Sequence, residues 1–389
     1  MTRKQNQEET VVRNKNPTRP RLWSRRRALK TALGVAAALA PAALAAPALA
    51  AARRKVTIVY GVQTIDSPAD DFFAAIPLGL GLYAEEGLDV RVETVAGAGA
   101  AVNLLLSGQA QFATHGTAGL LDAVDKGAPI QGFTCEIPGF IESIAVAADG
   151  PIKSFDDLKG KTIGVSANAG APVFMVKAVM RERGWNPDTD ASLLAVGTGL
   201  PALDALRRGR VQALVEWDTI YGLFEFYGAK FLYLRPPPIP TLGFAHTTNT
   251  TNTLIAKDPA LAVSLARAIA KAIVYMAAAP PDELSNLHYK VFPASRPAGL
   301  TEAQTYQLNA LRLHARTAFM GLQARVFDRT VKIGDVSDSK ILAFRSLLYG
   351  GGEIRHQYPA DRYFTRQFLA ASNDFDIPAL IAKAQALRV

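Results

Sequence analysis

The sequence predicts an α/β fold built from two similar lobes. Short β-branched segments alternate with helical segments along residues 56–234, which is typical of parallel sheets with helices on both faces. The pattern also occurs twice, and glycines that follow predicted helices recur at one constant offset. The matched pairs are Gly108 with Gly209, Gln111 with Gln212, Gly127 with Gly228, and Ala128 with Ala229.

The first copy starts with a β-branched run at residues 56–61, which has the composition of a buried parallel strand. Later segments are assigned as strands from β-branched or alternating residues, and as helices from periodicity and a terminal glycine. In the first copy, strands are predicted at 88–95, 112–114 and 130–134, and helices at 72–80, 100–107 and 120–126. In the second copy, strands are predicted at 161–165, 193–196, 211–216 and 231–234, and helices at 173–183, 203–208 and 219–227.

A proline-rich connection at 235–240 separates the second copy from the rest of the chain. A strand-like segment at 250–255 and a long apolar helix at 259–279 follow, and the remaining residues are mainly helical. We therefore expect one lobe to contain residues 53–147 and 254–389, with a second lobe, residues 151–243, inserted between two crossings. Such a pair of crossings is a natural hinge.

The charge is distributed unevenly. The formal net charge is +9, but the first fifty residues hold ten Lys and Arg side chains and only two acidic ones. The remainder is nearly neutral and has no electrostatic footprint for a polyphosphate, which argues against nucleic acid as a partner. Cys135 is the single cysteine, so an intrachain disulfide and a multi-cysteine metal site are excluded.

Residues 1–50 are predicted to be a cleaved signal peptide of the twin-arginine type. Arg25, Arg26 and Arg27 precede an Ala- and Leu-rich stretch that ends in small residues before Ala51. The alternative is an uncleaved membrane anchor, but the stretch contains two prolines and is dominated by Ala rather than Leu, Ile and Val. We expect a periplasmic or otherwise exported protein.

Familiar catalytic motifs are missing from the sequence. It contains no HExxH, GxSxG, GxxxxGK[ST] or CxxC, and its five histidines are scattered. Gly97 and Gly99 resemble part of a dinucleotide turn, but the third glycine is missing, so we expect a tight turn that exposes backbone amides to a cleft. No catalytic residue, metal or cofactor is expected.

Four segments resemble a known family. They are LGLGLYAEEGLDVRV (78–92), LLLSGQAQFATHG (104–116), SFDDLKGKTIGV (154–165) and LDALRRGRVQALVEWD (203–218). They are similar to the periplasmic solute-binding proteins of ABC importers for sulfonates, nitrate, taurine and the thiamine pyrimidine precursor. The resemblance implies a two-lobed type II periplasmic binding protein fold, a monomer that closes on a small ligand, delivery to an ABC permease in the inner membrane, and no catalysis. Family members commonly carry Asp where this chain has Gln111 and Gln212, so no role is transferred to those positions.

Two alternatives remain open. The same family contains an enzyme that makes the thiamine pyrimidine from its own histidine and pyridoxal phosphate, but that enzyme relies on a cysteine cluster and Cys135 stands alone here. An exported ligand sensor with the same fold is the second alternative.

Open α/β sheets bind ligands beyond the carboxyl ends of their strands. Some residues near these strand ends have an alternative role to ligand contact. Phe72 and Phe73 could pack in the core, and Trp217 could fill the lobe interface. Glu216 and Asp218 could be solvated or could cap helices. The predicted ligand-binding residues are Asp71, Phe72, Phe73, Gly97, Gly99, His115, Gly116, Thr117, Asn168, Gly170, Ala171, Glu216, Trp217 and Asp218.

The predicted anion site is weak, because Pro172 removes a backbone donor and no hydroxyl supports the amides of residues 168–171. Carboxylates and aromatic side chains favour a ligand with N–H donors or a cationic amine on a flat or apolar body. The alternative is an alkyl or aromatic sulfonate, with His115 and the loop amides binding its anionic end.

Overall fold

The computed structural model describes residues 52–168 and 170–386, so the predicted signal peptide at 1–50 lies outside the described residues. Two five-stranded sheets form the framework of the described chain. The strands are β1 (Arg54–Tyr60), β2 (Leu88–Thr94), β3 (Phe112–Gly116), β4 (Ile130–Gly139), β5 (Glu142–Ala147), β6 (Thr162–Val165), β7 (Ser192–Ala195), β8 (Ala213–Trp217), β9 (Phe231–Leu234) and β10 (Gly243–Thr251).

Helices cover the faces of both sheets and make up most of the C-terminal third. Short 3₁₀ helices occur at Pro68–Asp70, Asp156–Leu158, Ile239–Thr241 and Pro293–Ser295, and a π-helical turn at Gln323–Phe327. The α-helices are α1 (Ala75–Gly79), α2 (Leu82–Glu85), α3 (Gly97–Leu106), α4 (Thr117–Asp125), α5 (Ala171–Glu182), α6 (Leu200–Arg207), α7 (Asp218–Phe226), α8 (Asn252–Lys257), α9 (Pro259–Ala278), α10 (Pro281–Val291), α11 (Glu302–Thr317), α12 (Asp338–Gly350), α13 (Ala360–Tyr363), α14 (Leu369–Ser372) and α15 (Ile377–Gln385).

The two sheets have the same topology, as the internal repeat predicts. Their strand orders are β2-β1-β3-β10-β4 and β7-β6-β8-β5-β9. In each sheet the fourth strand, β10 or β5, pairs antiparallel with both neighbours. We call the half with the first sheet lobe 1 and the half with the second sheet lobe 2.

The repeated glutamines have the same structural role in both lobes. Gln111 Oε1 accepts a hydrogen bond from the backbone N–H of Thr57 at 2.8 Å, and Gln212 Oε1 accepts one from Thr162 at 3.0 Å. Each glutamine thus ties the turn before one strand to the neighbouring parallel strand.

The chain crosses between the sheets at residues 140–141 and 235–242, since β4 and β10 belong to lobe 1 and β5 and β9 to lobe 2. The sequence placed residues 142–147 in lobe 1, and the structure corrects this because β5 pairs with β8 and β9. It also placed residue 243 in lobe 2 and a strand at 250–255, whereas β10 runs from Gly243 to Thr251 within lobe 1.

Helix α9 forms the core of lobe 1. The side chain of Asp258 caps it by accepting a hydrogen bond from the backbone N–H of Leu261 at 3.2 Å. Its length and composition would also suit a membrane span, but most of its residues are buried against β4, α1, α2, α14 and α15.

The C-terminal helices contact both lobes. Helix α11 packs along α7 of lobe 2 so closely that a Cβ on Gly222 would lie 3.0 Å from the backbone N of Arg312. Helix α12 packs against α5, whereas α14 and α15 pack against α9 of lobe 1. The sequence assigned this whole region to lobe 1; the structure shows that α11 and α12 also cover lobe 2.

Candidate functional site

A cavity of about 540 Å³ lies where the carboxyl ends of the strands of both sheets meet. Lobe 1 contributes the ends of β1 and β3, and lobe 2 contributes the end of β8 and the start of α7. The segment after β1, the first crossing with the start of β5, Thr198, the start of β10 and α11 supply the rest of the wall. Residues that represent these elements are Tyr60, His115, Trp217, Glu142, His246 and Arg316.

Three of the predicted ligand-binding residues line this cavity: His115, Gly116 and Trp217. They follow the strand-end rule, because β3 and β8 occupy the same position in their sheets. Glycine is required at Gly61, the residue after β1, because a Cβ there would lie 2.9 Å from the His115 Cβ.

His115 is a neutral, buried member of the wall. Its Nδ1 lies 3.0 Å from the carbonyl oxygen of Gly116, and its Nε2 lies 3.3 Å from Nδ2 of Asn249. This pattern assigns the proton to Nδ1, because the Asn249 amide is a donor. Burial lowers the pKa of His115 to about 4, so this ring brings no positive charge to an anion at neutral pH.

Asp71, Phe72 and Phe73 do not line the cavity, because all three side chains are fully buried in lobe 1. Asp71 Oδ2 lies 2.9 Å from His288 Nδ1, and the Nε2 of the same ring lies 2.9 Å from the Ser295 hydroxyl. This chain of hydrogen bonds holds the end of α10 to the segment after β1. The burial of the two phenylalanines favours the core-packing alternative.

Glu216 also lies outside the cavity wall. Along β8, Val215 packs into one hydrophobic cluster and Leu214 into another, beside Leu203 and Phe224. Because side chains alternate along a strand, Glu216 shares the face of Leu214, toward α6 and α7 and away from the cavity wall. Both its carboxylate oxygens are buried without a partner among the described residues, and burial raises its pKa to about 8.

Asp218 lies behind the cavity wall and not on it. Its Oδ2 is 3.0 Å from Nε of Arg316, and its Oδ1 accepts a hydrogen bond from the backbone N–H of Thr219 at 2.8 Å. Burial raises the pKa of Asp218 to about 6, although Arg316 opposes the shift. Asp218 therefore positions a residue of the wall.

The other predicted residues do not line the cavity. The Thr117 hydroxyl donates to the carbonyl oxygen of Phe244, which fixes it in the core. Gly97, with a φ of +87°, forms the turn into α3, which is a structural role. The remaining members of this set are exposed or half-buried: Gly99 in the first turn of α3, Asn168 and Gly170 in the bend before α5, and Ala171 at the start of α5.

Two arginines on α11 are the main residues that the sequence reasoning missed. Arg316 Nε lies 3.0 Å from Asp218 of lobe 2, and its Nη1 lies 3.6 Å from Asp70 of lobe 1. Arg312 lies 3.6 Å from the Asp66 carboxylate. Leu308, Arg312 and Arg316 follow one another at the i, i+4 spacing of one helix face. Arginines on the face of an apolar residue were the signal in the sequence that these two side chains are buried.

Glu142, at the start of β5, and His246, near the start of β10, also line the cavity. Burial raises the pKa of Glu142 to about 7, with Asp218 adding to the shift and Arg316 opposing it. His246 Nδ1 lies 3.3 Å from Glu136 Oε2, behind the wall. Both residues were missed because the sequence predicted no strand at β5 or at the start of β10.

Two α/β lobes of repeated topology, joined by two crossings around a cavity, have the periplasmic binding protein fold. The chain belongs to the NMT1/THI5 like family, whose model matches residues 73–283, more than half of its length. The predicted resemblance is confirmed.

Solved structures of similar fold have low sequence identity. The periplasmic aliphatic sulphonate binding protein SsuA of Escherichia coli is 14% identical, with a TM-score of 0.55 over 80% of this chain and 92% of that one. The alkanesulfonate-binding protein SsuA of Xanthomonas axonopodis pv. citri, bound to MOPS, is 16% identical, with a TM-score of 0.50 over 81% and 99%. A Bordetella bronchiseptica RB50 protein is 20% identical, with a TM-score of 0.57 over 83% and 98%. No curated protein matches the sequence.

Proposed function

We propose that this protein is exported and serves as the solute-binding component of an ABC importer. It captures a small nitrogen- or sulfur-containing organic solute and delivers it to a membrane permease. The observation that carries the proposal is the cavity of about 540 Å³, which both lobes line at the carboxyl ends of their strands. Its size is within the range of small-molecule sites.

The family and the fold support this function. The sulphonate-binding and alkanesulfonate-binding proteins with the same fold are binding proteins. Closure would bend the crossings at 140–141 and 235–242, and α11 would act as a third connection because it packs on α7 and lines the cavity.

The cysteine supports binding without catalysis. Cys135 is buried in β4 and does not line the cavity. Burial raises the pKa of its thiol to about 12, so at neutral pH the side chain is a thiol rather than a nucleophilic thiolate. The family's pyridoxal phosphate enzyme, which uses a cysteine cluster, is a poorer model for this cavity.

A thermal-shift screen of sulfonates, taurine, nitrate, pyrimidines and amines tests the proposal. A solute at about 100 times its dissociation constant stabilises the folded protein by about 2.7 kcal/mol. We expect Trp217→Ala to lose most of this stabilisation at the same concentration, because the ring supplies stacking area on the wall.

Tyr227→Ala is the matched control, since this exposed ring ends α7 and does not line the cavity. It should keep the stabilisation of the unmodified protein. An equal response of both variants, or no response to any solute, would contradict the proposed site.

A further inference from the structure

The charged groups around the cavity are unevenly paired. Arg316 faces Asp70 and Asp218, and Arg312 faces Asp66, so both guanidinium groups already have acidic neighbours. The fourth carboxylate, Glu142, is on the wall; its own backbone N–H donates to it, and no side chain of the described residues forms an ion pair with it. The cavity therefore contains more negative than positive groups.

A second acceptor without a partner lies on the same wall. His246 is 6% exposed, and its Nδ1 lies beside Glu136, which does not line the cavity. The Nδ1–H therefore donates to that carboxylate, and Nε2, at the opposite edge of the ring, carries a lone pair. Nε2 is buried and has no hydrogen-bond partner among the described residues.

The wall that carries these acceptors also includes aromatic and aliphatic side chains. Tyr60, Ile141, Trp217 and Ile220 share the wall with Glu142 and His246. A buried acceptor without a donor is costly, and a ligand that donates to it recovers this cost. Arg312 Nε, which is buried without a partner, leaves one donor for an acceptor atom of the ligand.

We propose that the cleft selects a flat organic base or another N–H-rich solute, which donates hydrogen bonds to Glu142 and to Nε2 of His246. This inference rests on the proposed function that the cleft binds a solute. A solute whose only polar group is an anion would instead face Glu142, Asp66 and Asp70 and would compete with them for the two arginines.

Benzamidine and benzenesulfonate are suitable probes because both contain a flat aromatic ring. Benzamidine carries a cationic group with N–H donors, whereas benzenesulfonate carries an anionic group without them. Calorimetric titration of the purified protein should show tighter binding of benzamidine. Glu142→Gln should weaken benzamidine binding by about tenfold to a hundredfold, because a charged hydrogen bond is lost. The same variant should leave benzenesulfonate binding unchanged or stronger. A purely structural role of Glu142 would weaken the binding of both probes and would not produce this difference between them.

Benzamidine binding should also strengthen from pH 6 to pH 8, because the pKa of Glu142 is raised to about 7 and only its ionised form pairs with a cation. Asp218 and Arg316 are the charged groups that act on Glu142, and the pKa of Asp218, about 6, lies at the lower edge of this range. The pH dependence should therefore disappear in Glu142→Gln.

Glu225→Gln is the control, a half-buried glutamate on α7 outside the cavity wall. It should bind both probes as the unmodified protein does. Tighter binding of benzenesulfonate than of benzamidine would overturn the selectivity and leave a solute-binding function intact. Unchanged benzamidine affinity in Glu142→Gln, or no binding of benzamidine, would also overturn the inference. A failed solute screen would instead contradict the proposed function itself.

Discussion

Replacing Arg316 with methionine is expected to destabilise the protein by about 3–5 kcal/mol, the cost of removing one partner from a buried ion pair. Arg316 is 4% exposed, and its guanidinium group lies between Asp218 of lobe 2 and Asp70 of lobe 1. Its loss leaves the buried Asp218 carboxylate without a cation. Urea denaturation at pH 8 measures the change in the free energy of unfolding.

Arg208→Met is the matched control, because its pair with Asp204 is exposed and such pairs contribute about 0–1 kcal/mol. The destabilisation by Arg316→Met should also shrink near pH 5, since Asp218, with a pKa of about 6, is then protonated and needs no cation. Equal stability of the two variants would show that Arg316 does not join the lobes.

Glu216→Gln is expected to remove much of the pH dependence of stability. The pKa of Glu216 is raised from 4.5 to about 8 by burial. Because the raised pKa belongs to the folded state, the stability from the protonated group is complete below pH 4.5 and is lost as the pH rises toward 8. Between pH 4.5 and 7 the loss is about 3 kcal/mol, at 1.36 kcal/mol per pH unit.

The variant should therefore lose less stability than the unmodified protein when the pH rises from 5 to 8, as measured by urea denaturation at both pH values. Glu182→Gln, at an exposed position at the end of α5, should retain the original pH dependence. An unchanged pH dependence in Glu216→Gln would mean that this carboxylate reaches solvent.

The repeated part of the fold could be predicted because its signals are local. Glycines with positive φ, such as Gly108 and Gly209, end helices in both lobes, and β-branched runs form the parallel strands. Strand β10 was mostly missed because its sequence is polar. It is buried between β3 and β4, and long-range bonds such as Thr250 Oγ1 to the Gln111 carbonyl oxygen, at 2.8 Å, satisfy its side chains.

The candidate site was only partly predictable for a related reason. The strand-end rule located His115 and Trp217, but it does not say which face a neighbouring side chain occupies, so Glu216 was assigned to the cleft. Arg312 and Arg316 reach the cavity from a helix far along the chain, through packing of α11 on α7. Contacts between helices that are far apart in the sequence cannot be predicted from a local sequence pattern.

Equilibrium dialysis of the purified protein, with the solute identified by thermal shift, tests the central claim most directly. The cavity between the lobes predicts one molecule bound per chain and recovered chemically unchanged, with binding abolished or strongly weakened in Trp217→Ala. Conversion of the solute to a product, or saturable binding that is the same in Trp217→Ala as in the unmodified protein, would contradict the account.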